Sequence, residues 1–350
     1  MMQNPPRTFF KPTGQVFLLL VMCFLGGCEP AGLESDLKQY NNRLARVLEQ
    51  PLVEGEAIQR LVFPRVRLLQ QPIEPIKVDL LDFLQLGDCE LQQVVAEKNS
   101  SLGRFAPTSR LLAQDVLFIS LAEACRQKLA ADGDLTALLQ AAVAEKRRTL
   151  GKRLWNATLA GPEYRLFWQI DLANYPEQID SRVDPALRDI ESVVVALGED
   201  QWDADLQVLE VALEVLRNGE AGALVESWRH VATSLAGANR LLQARAARRP
   251  LCFPGMSNPK ADIFHNIVLR DFIQGIQGDV AILNRRYYDI VIPIRRIEEM
   301  FRDVETQDYR RFRLDRDRLL ETARGSVALH VAALEPLMVQ CGFLPGVSHE

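Results

Sequence analysis

The chain has 350 residues, 48% apolar and 25% charged, with 41 Lys and Arg against 46 Asp and Glu and a formal net charge of −5. That apolar share excludes a disordered chain, and that length is enough to bury a substantial core, as one large domain or two smaller ones. The acidic balance gives no basis for broad nucleic-acid binding.

Residues 1–11, MMQNPPRTFFK, carry Arg7 and Lys11 and no acid, and Val16 to Gly27 is uncharged. A basic start, an apolar stretch and small residues at its end read as a secretory signal over 1–27. The stretch is about half of the roughly 20 residues that span hydrocarbon, which argues against a transmembrane helix. Leu25-Gly26-Gly27-Cys28 resembles the bacterial lipobox. The resemblance implies that the Cys28 thiol receives a diacylglycerol, that the signal is cut before it, and that the new amine is acylated. Each buried methylene adds about 0.8 kcal/mol of membrane affinity, so three chains anchor the protein durably. Residues 28–32 are then a short lipidated tether. In such lipoproteins an Asp after the Cys favours the inner membrane. Glu29 stands there instead, and the expectation is a periplasm-facing protein of the outer membrane. Cleavage leaves 39 basic residues against 46 acids, a net charge of −7.

Leu33, Leu37, Tyr40, Leu44, Val47 and Leu48 recur at three- and four-residue steps and predict an amphipathic helix stopped by Pro51. Residues 62–78 hold Pro64, Pro72 and Pro75 among apolar side chains, which predicts an extended strap packed across helices. From Asp79 onward helical periodicity dominates. Helices are predicted over 79–99, from Thr108 or Ser109 to about Leu129, from Asp134 toward Trp155, and for a short stretch after Pro162. Residues 174–185, NYPEQIDSRVDP, read as a linker between an N-terminal half, 33–173, and a C-terminal half, 186–350. Further helices are predicted near 185–198, 203–217, 220–247, 259–291, 293–306 and 314–341, with breaks at Asn218-Gly219 and Pro293. Alternating strand patterns are scarce, the best being IVI before Pro293. The predicted class is an all-α multi-helix bundle.

Setting aside Cys23 in the signal and Cys28 under lipid leaves Cys89, Cys125, Cys252 and Cys341. An oxidising periplasm favours disulfides. Three pairings are open, and chain proximity favours Cys89–Cys125 with Cys252–Cys341. Free buried thiols are the alternative. No CxxC or Cys/His cluster suggests a metal, and no motif calls for a cofactor.

AEKNSSLG at 96–103, the Cys125 that follows it, CFPGMSNPKA at 252–261 and CGFLP at 341–345 occur together with the lipobox. In these features the chain resembles a family of bacterial lipoproteins catalogued as domain of unknown function 3080. Its hallmark, the Asn-Ser-Ser-Leu-Gly run, stands here as Asn99 to Gly103. The resemblance implies an all-helical envelope lipoprotein and carries over no catalytic residue.

Asn99, Ser100 and Ser101 read first as a helix-terminal turn and second as a polar ligand contact. Arg245, Arg248 and Arg249 lie in RLLQARAARR, an acid-free run. They suit a helix C-terminus, or contact with membrane phosphates or a partner. The segment 295–324 mixes nine Arg with eight acids and reads as salt-bridged helix faces. Tyr164, Phe167 and Trp168 read as core, with a sugar-gripping stack as the alternative. Ser35 and Lys38 have the spacing of a Ser/Lys acylase, but its companion motifs are missing. His230, His265, His330 and His349 stand singly. The leading expectation is a non-enzymatic, membrane-tethered adaptor or binding module with an envelope protein partner. The alternatives are an envelope hydrolase whose site forms only in the fold, and a carrier of an apolar ligand.

Overall fold

A computed structural model of the protein describes residues 32–74, 89–129, 133–169, 175–176, 179–248, 250–253 and 258–343. The signal segment, Cys28, the strap beyond residue 74, the first half of the helix predicted from Asp79, and Arg249 lie outside the described residues. No strand forms among the described residues, and helices make up most of them.

Helix α1, Leu33–Leu48, buries the apolar stripe that its periodicity predicts. It closes on Glu49, whose left-handed backbone (φ 54°) returns its N–H to the carbonyls of Ala45 and Arg46. The chain then runs without regular structure to a single turn, α2, at Val66–Leu69. This strap starts earlier than its prolines suggest, at Pro51. Near Gly55 and Gly237 it presses so closely on the later helices that a Cβ on Gly55 would lie 1.8 Å from the Thr233 carbonyl oxygen. Side chains pin its far end. Trp155 Nε1 donates to the Leu69 carbonyl at 2.6 Å, and Asn156 both accepts from Gln71 N at 2.7 Å and donates to its carbonyl at 2.8 Å.

Helices α3 (Leu91–Asn99), α4 (Ser101–Arg104), α5 (Thr108–Lys128) and α6 (Gly133–Ala157) follow, with α5 and α6 packed side by side and α3 on α5. Helix α7 is Pro162–Phe167, with Pro162 in its first turn. Next come α8 (Val183–Gly198), α9 (Leu206–Val215, ending in a 3-10 turn to Asn218) and α10 (Glu220–Ala246). Gly219 separates the last two with φ 78°, the break that Asn-Gly predicts. Helix α11, Pro259–Ile267, continues without interruption through a π-helical stretch, Val268–Ile276, into α12, Gln277–Met300. Helix α13, Gln307–Gln340, packs along α10.

Pro293 does not break its helix as its sequence suggests. It sits inside α12, buried with Ile290, Val291, Ile294 and Ile297. A proline there forfeits one backbone hydrogen bond and costs about 3 kcal/mol in an isolated helix. Four fully buried aliphatic neighbours offset it, each contributing about 2 kcal/mol. The IVI segment before it is helical for the same reason.

Two apolar cores result. The large one draws on α1, the strap and α6 to α13, with Trp155 and Trp228 among its fully buried side chains. Truncating either tryptophan to Ala would cost about 4 kcal/mol. Tyr164, Phe167 and Trp168 belong to this core, where Tyr164 packs against Tyr309 and Trp168 meets Phe312 edge-on. The small core is separate: Leu91, Val94 and Val95 of α3 meet Phe118, Ala122, Leu135, Leu139 and Ala142 on the distal parts of α5 and α6. The cysteines pair as chain proximity favours. Cys89–Cys125 staples the small core, and Cys252–Cys341 ties the segment before α11 to the end of α13. The small core with its disulfide is called the lobe below.

Candidate functional site

The site is built on α5. Its sequence, LLAQDVLFIS, interrupts an apolar run with Gln114 and Asp115, and both are buried. A buried carboxylate needs compensation, because desolvation in a low dielectric costs several kcal/mol. Three cations from two helices supply it. Lys146 of α6 is hydrogen-bonded to Asp115, Lys98 of α3 reaches the same Oδ1 at 2.7 Å, and Arg153 of α6 lies 2.9 Å from Oδ2. Lys146 is itself buried and sits 4.7 Å from the centre of the Phe118 ring, a cation–π contact.

Burial alone would raise the Asp115 carboxyl, but attraction from Lys146, Lys98 and Arg153 outweighs it and holds the group below the ordinary carboxylate value. For Lys146, burial dominates. Against the pull of Asp115, and helped by repulsion from Lys98, it lowers the ammonium to about 8. At neutral pH the cluster thus has three positive charges around one negative charge.

These groups face a cavity of about 620 Å³ between the lobe and the strap. Its apolar wall includes Ile73, Val94, Val95, Leu111, Phe118 and Ala142, and its polar wall includes Asn99, Gln114, Asp115, Lys98, Lys146 and Arg153. Glu74 and Glu145 also line it, and Glu145 is held by Arg148 through two hydrogen bonds. Gln114 is 5% exposed, and its Oε1 accepts no hydrogen bond. Thr149 also lines the cavity, but its hydroxyl is engaged with the backbone carbonyls of Glu145 and Lys146.

The Asn99–Gly103 run shapes one side. Ser100 Oγ donates to the Glu97 carbonyl at 2.6 Å and accepts from Gly103 N at 3.0 Å, capping α4. This is the local turn bonding that Ser residues predict. A Cβ on Gly103 would lie 2.2 Å from the Glu97 carbonyl oxygen, so only glycine lets the chain double back here. Asn99 and Gly103 line the cavity, whereas Ser101 points outward. Leu102 and Phe105 stand 87% and 90% exposed beside it.

The second candidate group divides. Arg245 is buried and donates to the Pro250 carbonyl at 3.4 Å, which makes it a helix-end contact. Arg248 is exposed. No trio of His, Cys, Asp or Glu among the described residues is placed to hold a metal ion, and no described helix is long and apolar enough to cross a membrane.

Sequence reasoning marks the rim of this site and misses its centre. Asp115, Lys146 and Arg153 are dispersed over two helices, and only the fold brings them to Lys98. The available signal was the adjacent pair Gln114-Asp115 inside an otherwise apolar helical face.

The fold and site define an all-helical protein with a lateral lobe and a charged, half-apolar cavity. The chain belongs to the family described as Protein of unknown function (DUF3080), whose model matches residues 37–345, nearly its whole length. No curated protein and no solved structure matches it.

Proposed function

We propose that this protein is a lipid-anchored, periplasm-facing binding module of the bacterial cell envelope, favouring the outer membrane, that acts without catalysing a reaction. The observation that carries the binding role is the lobe cavity. It pairs an apolar wall with an excess of positive charge and a buried, unpartnered Gln114 oxygen. Folded proteins rarely leave such groups unmatched unless a ligand or water completes them. The anchor rests on the Leu25–Cys28 motif, and two disulfides suit an oxidising compartment.

A hydrolase reading finds less support. Hydrolysis by side chains needs a nucleophile and a base. The described residues that line the cavity include no Ser, Cys or His. Asp115, with its carboxyl held low, is a weak base, and the Thr149 hydroxyl is already committed.

Two experiments test the reading. Cys28→Ala should move the protein into the soluble periplasmic fraction, and unchanged membrane retention would contradict the anchor. Crosslinking in intact envelopes should capture one stoichiometric partner, and its absence after exhaustive capture would contradict the adaptor role.

A further inference from the structure

The cavity's chemistry identifies the class of molecule that fills it. We infer that the lobe cavity binds a small amphipathic organic anion, a carboxylate or a phosphate-type group on an apolar body, that also presents a hydrogen-bond donor to Gln114. This rests on the reading of the protein as a binding module and names the ligand class of that site.

Three observations converge. First, the charges do not cancel. Among the described residues, Asp115 offsets one of the three cations around it, Glu145 is matched by Arg148, and Glu74 at the edge leaves one uncompensated positive charge. An ammonium has three N–H donors in a tripod, so the lysines can serve Asp115 and a second anion together. Second, Gln114 Oε1 is a buried acceptor with no donor. An acceptor cannot be satisfied by another anion, so the ligand must bring an N–H or O–H of its own. Third, Phe118, Val94, Val95 and Leu111 form an apolar wall, which a bare inorganic ion would leave in contact with water.

Geometry makes Lys146 the central contact. It is buried, fixed by Asp115 on one side and by the Phe118 ring on the other. Lys98, 34% exposed, is the partner that can move toward a ligand. Because burial brings Lys146 to about 8, anion binding weakens as pH rises through that value; the other charged groups that face it across the cavity are Lys98, Arg153, Asp115, Glu74 and Glu145.

The test uses the full-length protein in detergent and three matched probes: N-acetyl-phenylalanine, its phosphonate isostere and its neutral amide. Calorimetric titration at pH 7 should show at least one of the two anions binding about tenfold or more tighter than the amide, as a charge-assisted bond predicts. Which anion wins distinguishes a carboxylate source from a phosphate source. Gln114→Leu should weaken the preferred anion about fivefold, the loss of one neutral hydrogen bond. Lys146→Gln should abolish the preference, and Lys98→Gln serves the same purpose if that variant fails to fold. Equal binding of amide and anions, no binding by any probe, or an unchanged affinity in Gln114→Leu would overturn the inference. A partner captured from envelopes together with a failed titration would sink the ligand class and leave the adaptor reading standing.

Discussion

In the main body Arg316 meets Glu298 through two N–H donors at 2.6 and 2.9 Å, with Tyr309 donating to the same carboxylate at 2.7 Å, all of them buried. Neighbouring Asp317 is matched in turn by Arg295 at 3.1 Å. Positive and negative charges there are equal in number, and the carboxylate is saturated with donors. In the lobe, Asp115 faces three cations and Gln114 faces none of the donors it needs. Both are buried polar clusters, and each holds groups with shifted pKa values, Arg316 and Tyr309 in one and Asp115 and Lys146 in the other. The difference teaches that burial and a shifted pKa do not by themselves mark a site. Charge imbalance adds the missing mark: the Arg316 cluster matches each carboxylate with a cation, whereas the lobe cluster has a positive charge left over among the described residues.

The largest effect should come from breaking the balanced cluster. Arg316→Met leaves Glu298 buried without its cation and should lower unfolding free energy by about 4 kcal/mol. Urea denaturation measures it, and no added anion should restore the loss. A destabilisation below about 1 kcal/mol would show that the pair is dispensable.

Acidification should be the next largest, and it also belongs to the body. His330 lies between Tyr40, Asn239 and Phe272, with Nε2 2.8 Å from the Tyr40 hydroxyl and Nδ1 2.6 Å from Asn239 Oδ1. Since Asn239 Oδ1 can only accept, Nδ1 carries the proton and Nε2 accepts from Tyr40, so the ring is neutral. Burial lowers its pKa to about 4. Between roughly pH 6.5 and that value the unfolded chain takes up a proton that the folded chain refuses. Stability from this group therefore falls as pH drops through the window, by about 3 kcal/mol in total. Denaturation curves between pH 7 and pH 4 should show the decline, and His330→Gln should flatten it.

A smaller effect is expected in the lobe. Asp115→Asn removes the carboxylate that all three cations share and should cost about 2 kcal/mol at low salt. Unlike the loss at Arg316, it should be recovered by an organic anion that takes the carboxylate's place. Failure of any anion to restore stability would make the lobe cluster an ordinary structural one.

The contrast between the regions also explains what was legible in the sequence. Helix α1 and helix α10 are periodic, bounded by Pro51 and by Gly219, and local pattern suffices to place them. The run through Pro293 was not legible, because what holds it is packing by residues from other elements. The same holds for the site. The Asn99–Gly103 turn is local and announces itself. Asp115 meets Lys98, Lys146 and Arg153 only because α3, α5 and α6 pack together around the small core. Arg316 looked like one more surface charge in an Arg-rich helix, and it is fully buried, bonded to Glu298 of α12 and set over the Trp168 ring.

The measurement that bears most directly on this account is made on Lys98→Gln, with stability and anion affinity read on the same sample. Lys98 is the most exposed of the three cations, and Asp115 keeps Lys146 and Arg153 without it. If the third cation serves a ligand, stability should change by less than about 1 kcal/mol, while affinity for the preferred anion falls about tenfold. A stability loss of several kcal/mol with anion affinity unchanged would mean that the cluster is there for the fold alone.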